Sequence, residues 1–212
     1  MRGWTEFRSH TWLCVVVAQA TVWQAVWAGA VLVIGPGVAD RHFGPAGWGA
    51  LLGAQMAGAI AGGLLALRWQ PSRAVAYGVA LTGVSAALPL ALGLAPNLAL
   101  LVPVAFLVGA AMEQVGVAAT VAVQDHIPPD RLARVASYQL LGATAAVPVG
   151  QTLAGPLATH LGDLPVLTGA AALIAASTLA SMASPDVRNL RHRPADDPLA
   201  ATARSQTCDQ AR

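Results

Sequence analysis

One carboxyl group lies where a carboxyl group is costly. Glu113 sits inside an apolar run, residues 98–124, and at 1.5 Å per residue it falls about 3 Å from the middle of that run. A carboxylate in hydrocarbon costs several kcal/mol unless it is protonated, paired or faced by water, so an ionisable group at that depth points to a substrate or ion path. The residue type also fits a second role, a glutamic acid hydrogen-bonded to a neighbouring helix, and the sequence leaves both open. Val117, Thr120 and Gln124 follow at four, seven and eleven positions, which places Glu113, Thr120 and Gln124 on one helical face. Glutamines recur within other apolar runs: Gln19, Gln24, Gln55, Gln114, Gln139 and Gln151. Each can line a cavity or hydrogen-bond across helices. Trp23 and Trp27 stand one turn apart near Gln19 and Gln24, able to wall an aromatic cavity or to pack within a bundle.

Other chemistry finds little support. The closest approach to an intramembrane serine nucleophile, Gly83-Val84-Ser85-Ala86, lacks the final glycine, and His10, His42, His126, His160 and His192 all fall at run ends, in joints or in the tail. No metal-ligand spacing and no phosphate-binding glycine-rich loop is present, so neither enzymatic activity nor a cofactor is expected. Cys14 and Cys208 are too few for a disulfide framework.

The elements that must hold these residues are apolar runs of membrane-spanning length. The chain is 56% apolar and 10% charged, against about 25% charge in soluble domains, so a soluble globule is disfavoured. Six runs, 11–39, 47–67, 74–95, 98–124, 135–160 and 165–183, each approach the roughly 20 residues needed to cross hydrocarbon. All twelve basic residues are arginine. With the joints placed on alternating sides, Arg2, Arg8, Arg68, Arg73, Arg131, Arg134, Arg188, Arg191, Arg193, Arg204 and Arg212 share one side, and Arg41 stands alone on the other. Arginine near span ends marks the cytoplasmic face. The expectation is an all-α, multi-pass protein of the plasma (inner) membrane with both termini cytoplasmic. Its parts are a short segment 1–10, a six-helix transmembrane bundle 11–183 and a disordered tail 184–212. A cleaved signal peptide is disfavoured because the first run far exceeds a signal's apolar region. The net charge of +2 gives no reason to expect nucleic acid as a partner.

Several local features refine this. Gly35-Pro36-Gly37 reads as a helix breaker closing the first run, followed by a loop 40–46. The joints 68–73 and 125–134 are polar loops on the arginine-rich side, and 96–97 and 161–164 are tight joints on the other. Pro89, Pro103, Pro148 and Pro156 interrupt later runs. The third and sixth runs carry no Asn, Gln or charged residue inside, which suits peripheral, lipid-facing helices. The second run has Gly49, Gly53, Ala57 and Ala61 at four-residue spacing, with Gly58 and Gly62 beside them. Such stripes let helices approach closely in lipid, within a bundle or between copies.

The order of these runs resembles helices seven to twelve, the C-terminal half, of a major facilitator superfamily transporter of the drug- and siderophore-exporter kind. The residues that carry the resemblance are Gly62-Gly63-Leu64-Leu65-Ala66-Leu67-Arg68 through Arg73, which is similar to the family's basic loop motif with Leu67 in its acidic position. Gly109 to Gly116, around Glu113, is similar to the tenth-helix segment that bears an acidic residue. Ile127 to Arg134 followed by Val135-Ala136-Ser137-Tyr138 is similar to the loop before helix eleven. Pro148-Val149-Gly150 and Gly155-Pro156 are loosely similar to a Gly-Pro antiporter motif. The resemblance implies one half bundle built as a three-plus-three inverted repeat, whose first, second, fourth and fifth helices face a central cavity. It implies export of a small amphipathic or drug-like molecule, driven by protons through Glu113, with Gln24, Gln55, Gln151 and Trp23 along the path. Arg68, Arg73, Arg131 and Arg134 would serve in gating loops. Since such transporters place the substrate between two halves, the resemblance implies first a truncated or split gene product, inactive alone, and otherwise a partner, either an N-terminal transporter half or a second copy. A membrane scaffold or accessory subunit that does not transport is the reading from a different class.

Overall fold

The computed structural model describes residues 11–69, 73–126 and 129–184, and for residues 11–13 and 122–143 only the course of the backbone. The expected N-terminal segment 1–10 and the tail beyond 184 lie outside the described residues. Those residues form helices and no strands. The elements are α1 (Thr11–Trp27), a π-helical stretch (Ala28–Ile34), α2 (Gly35–His42), α3 (Gly44–Arg68), α4 (Ala74–Val84), α5 (Ala87–Leu94), α6 (Leu98–His126), α7 (Pro129–Leu161) and α8 (Asp163–Ala183). Five segments among the described residues are long and apolar enough to cross a bilayer: Cys14–His42, Gly44–Arg68, Ala74–Leu94, Leu98–Val121 and Asp163–Ala183. The sixth expected run, 135–160, falls on α7 and lies in part outside the described residues; the portion described with side chains, 144–161, is not among the five because Pro148, Gln151, Pro156, Thr159 and His160 dilute its apolar character.

The boundaries differ from expectation where proline meets a compensating turn. Gly35-Pro36-Gly37 does not break the first segment. Pro36 lacks an N–H and its ring crowds the carbonyl four residues back. The wider π turn just upstream removes that conflict, with the Gly35 N–H reaching Ala30 O, and the helix runs on to His42. The joint that follows is only Phe43, turned by Gly44 at φ 73°, a conformation that suits glycine. The joint before α8 is Gly162 alone, also left-handed at φ 87°. The loop expected over 125–134 is shorter than thought. Helix resumes at Pro129, since proline is at home in a first helical position, so Arg131 and Arg134 stand on helical backbone and their side chains lie outside the described residues. Pro89 has the opposite effect to Pro36. It parts α4 from α5 at Ser85–Ala86, four residues upstream, where Ser85 and Ala86 make short-range bonds to Thr82 O and Gly83 O. Asn97 opens α6, its side-chain Oδ1 accepting the Ala99 N–H at 3.0 Å.

Four pairings hold the bundle. The closest is α3 against α6, then the α1–π stretch against α7, then α4–α5 against α6 and against α8. The glycines state how close the first two are. A Cβ on Gly58 or Gly62 of α3 would overlap the carbonyl oxygens of Phe106 or Ala110, and one on Gly109 would overlap that of Gln55. On the other pair, a Cβ on Gly150 would overlap Ala25 O, and one on Gly29 would meet Gly150 O at 2.7 Å. Sequence numbers rise together across both pairs, so these helices run parallel. They fall against each other between α4–α5 and α8, where Gly83 faces Thr178 and Gly93 faces Leu167, so that pair is antiparallel. The stripe Gly49, Gly53 and Ala57 is exposed and takes no part, with nothing within 4 Å of a Cβ on either glycine. It is Gly58 and Gly62 that make the internal contact.

The third segment corrects another expectation. Half of its most apolar window is buried within the chain, the largest share among the five, because it packs against α6 and α8 and touches the first segment. Its lack of Asn, Gln and charged side chains reflects enclosure rather than a peripheral place.

The main buried cluster joins Trp27, Val31, Ile34, Val38, Leu51, Leu88, Leu92, Leu101, Ala105, Val108, Ala154 and Leu167. All of these but Trp27, which stands at mid-length, lie in the half of their segment nearer one end. That end is marked by Arg41, whose guanidinium is paired with the Asp163 carboxylate, tying the first joint to the last. The polar groups buried away from this cluster lie nearer the other end or at mid-length: Gln19, Thr82, Ser85, Gln114, Thr178 and Ser181.

Candidate functional site

Glu113 belongs to a stripe on α6 at spacings of four, four, three and four: Ala105, Gly109, Glu113, Gly116, Thr120. The first two are buried and the last three exposed. The face of α6 that is sealed near Arg41 therefore opens toward the end that carries Arg68 and Arg73. Glu113 lies at the start of the opening, against α3, where its Cγ would be 3.5 Å from a Cβ on Gly63. Its carboxyl group makes no ion pair or hydrogen bond among the described residues, and the single pair there is Arg41–Asp163. Thr120 spends its hydroxyl on Gly116 O at 2.9 Å. The side chain of Gln124, expected on this face, lies outside the described residues.

The next residue has the opposite fate. Gln114 is buried and donates its side-chain amide to Gly62 O at 2.8 Å. One position thus turns a polar side chain from the open face into the α3–α6 seam, where the missing Cβ of Gly62 exposes a carbonyl to receive it. Gln19 does the same across α1 and α8, donating to Thr178 Oγ1 at 3.3 Å. Both serve as interhelical hydrogen-bond formers.

The other expected path residues are dispersed. Gln24 on α1 and Gln55 on α3 are half-buried, and Gln151 on α7 is exposed. No hydrogen bond among the described residues joins them to one another or to Glu113. Trp23 is committed elsewhere. Its indole N–H donates to Ser85 Oγ at 2.7 Å and its ring stacks on Trp27 with centroids 5.5 Å apart. Ser85 in turn donates to Thr82 O at 2.6 Å, so this hydroxyl, the nearest approach to a nucleophile in the sequence, both gives and receives. The tie between Trp23 and Ser85 had one legible sign, Pro89 four residues after Ser85, which opens the helix there. Nothing in the sequence pointed to Trp23 as the partner.

Arg68 ends α3 and Arg73 precedes α4, both exposed, with Trp69 meeting Tyr77 edge-on at 5.2 Å. No group of three or more His, Cys, Asp or Glu among the described residues could hold a metal ion. Chemically the arrangement offers one unpaired carboxyl on an open face of an apolar bundle, with amide and hydroxyl groups nearby. That suits binding and proton exchange. No family model, curated protein or solved structure matches the chain.

Proposed function

We propose that the chain is one half bundle of a secondary transporter of the major facilitator type, with α7 as a sixth span, in the plasma membrane with its arginine-rich end cytoplasmic. One observation carries the reading, the crosswise pairing of segments. Exchanging the first three segments for the last three turns second-with-fourth into fifth-with-first and leaves third-with-sixth in place. Both exchanged pairs are parallel and glycine-seamed. That is the contact pattern an inverted three-plus-three repeat requires.

In this reading Glu113 exchanges a proton or contacts a small amphipathic solute in a cleft open to the cytoplasm, and no reaction is catalysed. A carboxyl on an open face at this depth cannot rest against lipid without cost, so water or a second bundle covers it. The second bundle is an N-terminal half or another copy. Transport of solute requires both.

A scaffold or accessory role is the competing reading, favoured by the number of polar groups already spent on packing. Reconstitution separates the two. The chain is placed in liposomes alone and with an N-terminal half, and proton-driven efflux is followed for wild type and Glu113→Gln. Transport that needs the partner and falls at least tenfold in the variant supports the reading. Undiminished efflux in Glu113→Gln removes the coupling role, and no efflux with any partner favours the scaffold.

A further inference from the structure

A second feature is independent of any transport role. Helix α3 carries four strongly exposed apolar side chains in a line: Met56, Ile60, Leu64 and Leu67, at spacings of four, four and three. Leu67 is 81% exposed and Ile60 68%. The line runs along the side of α3 turned away from the Gly58–Gly62 seam with α6. It stops at Arg68, the last helical residue, and there the character of the surface changes at once. Arg68, Trp69 and Arg73 are all exposed, and Tyr77 props the Trp69 ring edge-on. Neither arginine has an acidic partner among the described residues, in contrast to Arg41, which has Asp163.

An apolar track about as long as an acyl chain (11 residues at 1.5 Å, roughly 16 Å) thus ends at two unpaired guanidinium groups and an aromatic pair. Trp and Tyr favour the depth of glycerol and headgroups, and guanidinium groups bind phosphate through paired N–H donors.

We propose that this corner of the bundle holds one anionic phospholipid, its phosphate between Arg68 and Arg73, its glycerol region against Trp69 and one acyl chain along Met56–Leu67. Topology alone accounts for arginines at this end. It does not account for an unpaired pair sharing a corner with an aromatic clasp and an exposed apolar line that runs directly into it.

The test uses the full chain in neutral detergent, titrated with phosphatidylglycerol or phosphatidylcholine and read by native mass spectrometry and by the thermal unfolding midpoint. Phosphatidylglycerol is expected to bind at least tenfold more tightly and to raise the midpoint. Each arginine near such a surface is worth about fivefold, so Arg68→Gln with Arg73→Gln should cost about 25-fold, Trp69→Ala less, and Arg41→Gln nothing. Equal binding of the two lipids would overturn the proposal, as would full preference in the double variant. Inorganic phosphate that raises the midpoint as much as the lipid does would also overturn it, by making the ligand a soluble anion.

Discussion

Alanine at Gly58 and alanine at Gly53 should differ in sign, though they lie on the same helix and make the same chemical change. At Gly58 the new methyl would overlap Phe106 O and stand 2.7 Å from its carbonyl carbon and 3.0 Å from its Cα. Carbon pairs rest at about 3.5–4.0 Å. The neighbour is backbone, so no side chain can swing aside and α3 and α6 must part by about 1 Å at that level. A gap of that size forfeits a quarter to a half of the dispersion energy of the atoms lining it, and overpacking of this kind costs about 1–3 kcal/mol. At Gly53 nothing lies within 4 Å. Alanine there meets no obstacle and gains between zero and about 1 kcal/mol from helix propensity. The two variants should therefore lie about 2 kcal/mol apart, roughly thirtyfold in the folding equilibrium. Reversible unfolding in mixed micelles with rising dodecyl sulfate measures this directly. If both variants unfold at the same detergent fraction, the close seam between α3 and α6 does not exist.

Three further outcomes follow from the same contacts. Ser85→Ala leaves the Trp23 indole N–H without its partner and should cost about 1–3 kcal/mol through that orphaned donor, a penalty Trp23→Phe avoids because it removes the donor while Ser85 still donates to Thr82 O; a double-mutant cycle should return a coupling of at least 0.5 kcal/mol. Gln114→Leu removes the bond to Gly62 O and should cost about 0.6 kcal/mol, the average for such bonds in membranes, and a loss above 3 kcal/mol would mean the side chain does something else. Arg41→Ala breaks an ion pair whose arginine is 57% exposed, so unfolding should shift by no more than about 1 kcal/mol, and the shift should shrink in 1 M salt.

The helical, membrane-crossing character of the chain was legible in its composition, because apolar runs of this length have few other solutions. The joints were less so. Gly35-Pro36-Gly37 reads as a stop, yet a π turn upstream absorbs the proline, and a π turn has no signature in residue type. Of the four prolines expected to interrupt runs only Pro89 does so, with the break at Ser85 where the ring meets the preceding turn; Pro103 stands inside continuous α6 and Pro148 and Pro156 inside continuous α7. The small residues of the second segment offered two adjacent stripes of equal promise. Which one packs depends on where α6 lies, and no local pattern fixes that. The stripe Gly58–Gly62 is used and Gly49–Gly53 is open. Glu113 was visible as the odd residue of its run, but its place on the open face, one position from the buried Gln114, follows from the rotation of α6 against α3. The third segment was misjudged because apolar composition looks the same whether a helix faces lipid or its neighbours.

The crosswise pairing also orders events at the ribosome. The first segment is made before the other described ones, yet its main neighbour α7 appears only after three more segments have been made. Helices α3 and α6 can meet sooner, with the third segment between them already in place. Until α7 arrives, the face of the first segment around Ala25 and Gly29 has no seat, and Gln19 waits longer still, for Thr178 on α8. A nascent chain halted before α7 should leave that face of its first helix to the insertion machinery or to lipid, while Trp23 can already reach Ser85 on the third segment.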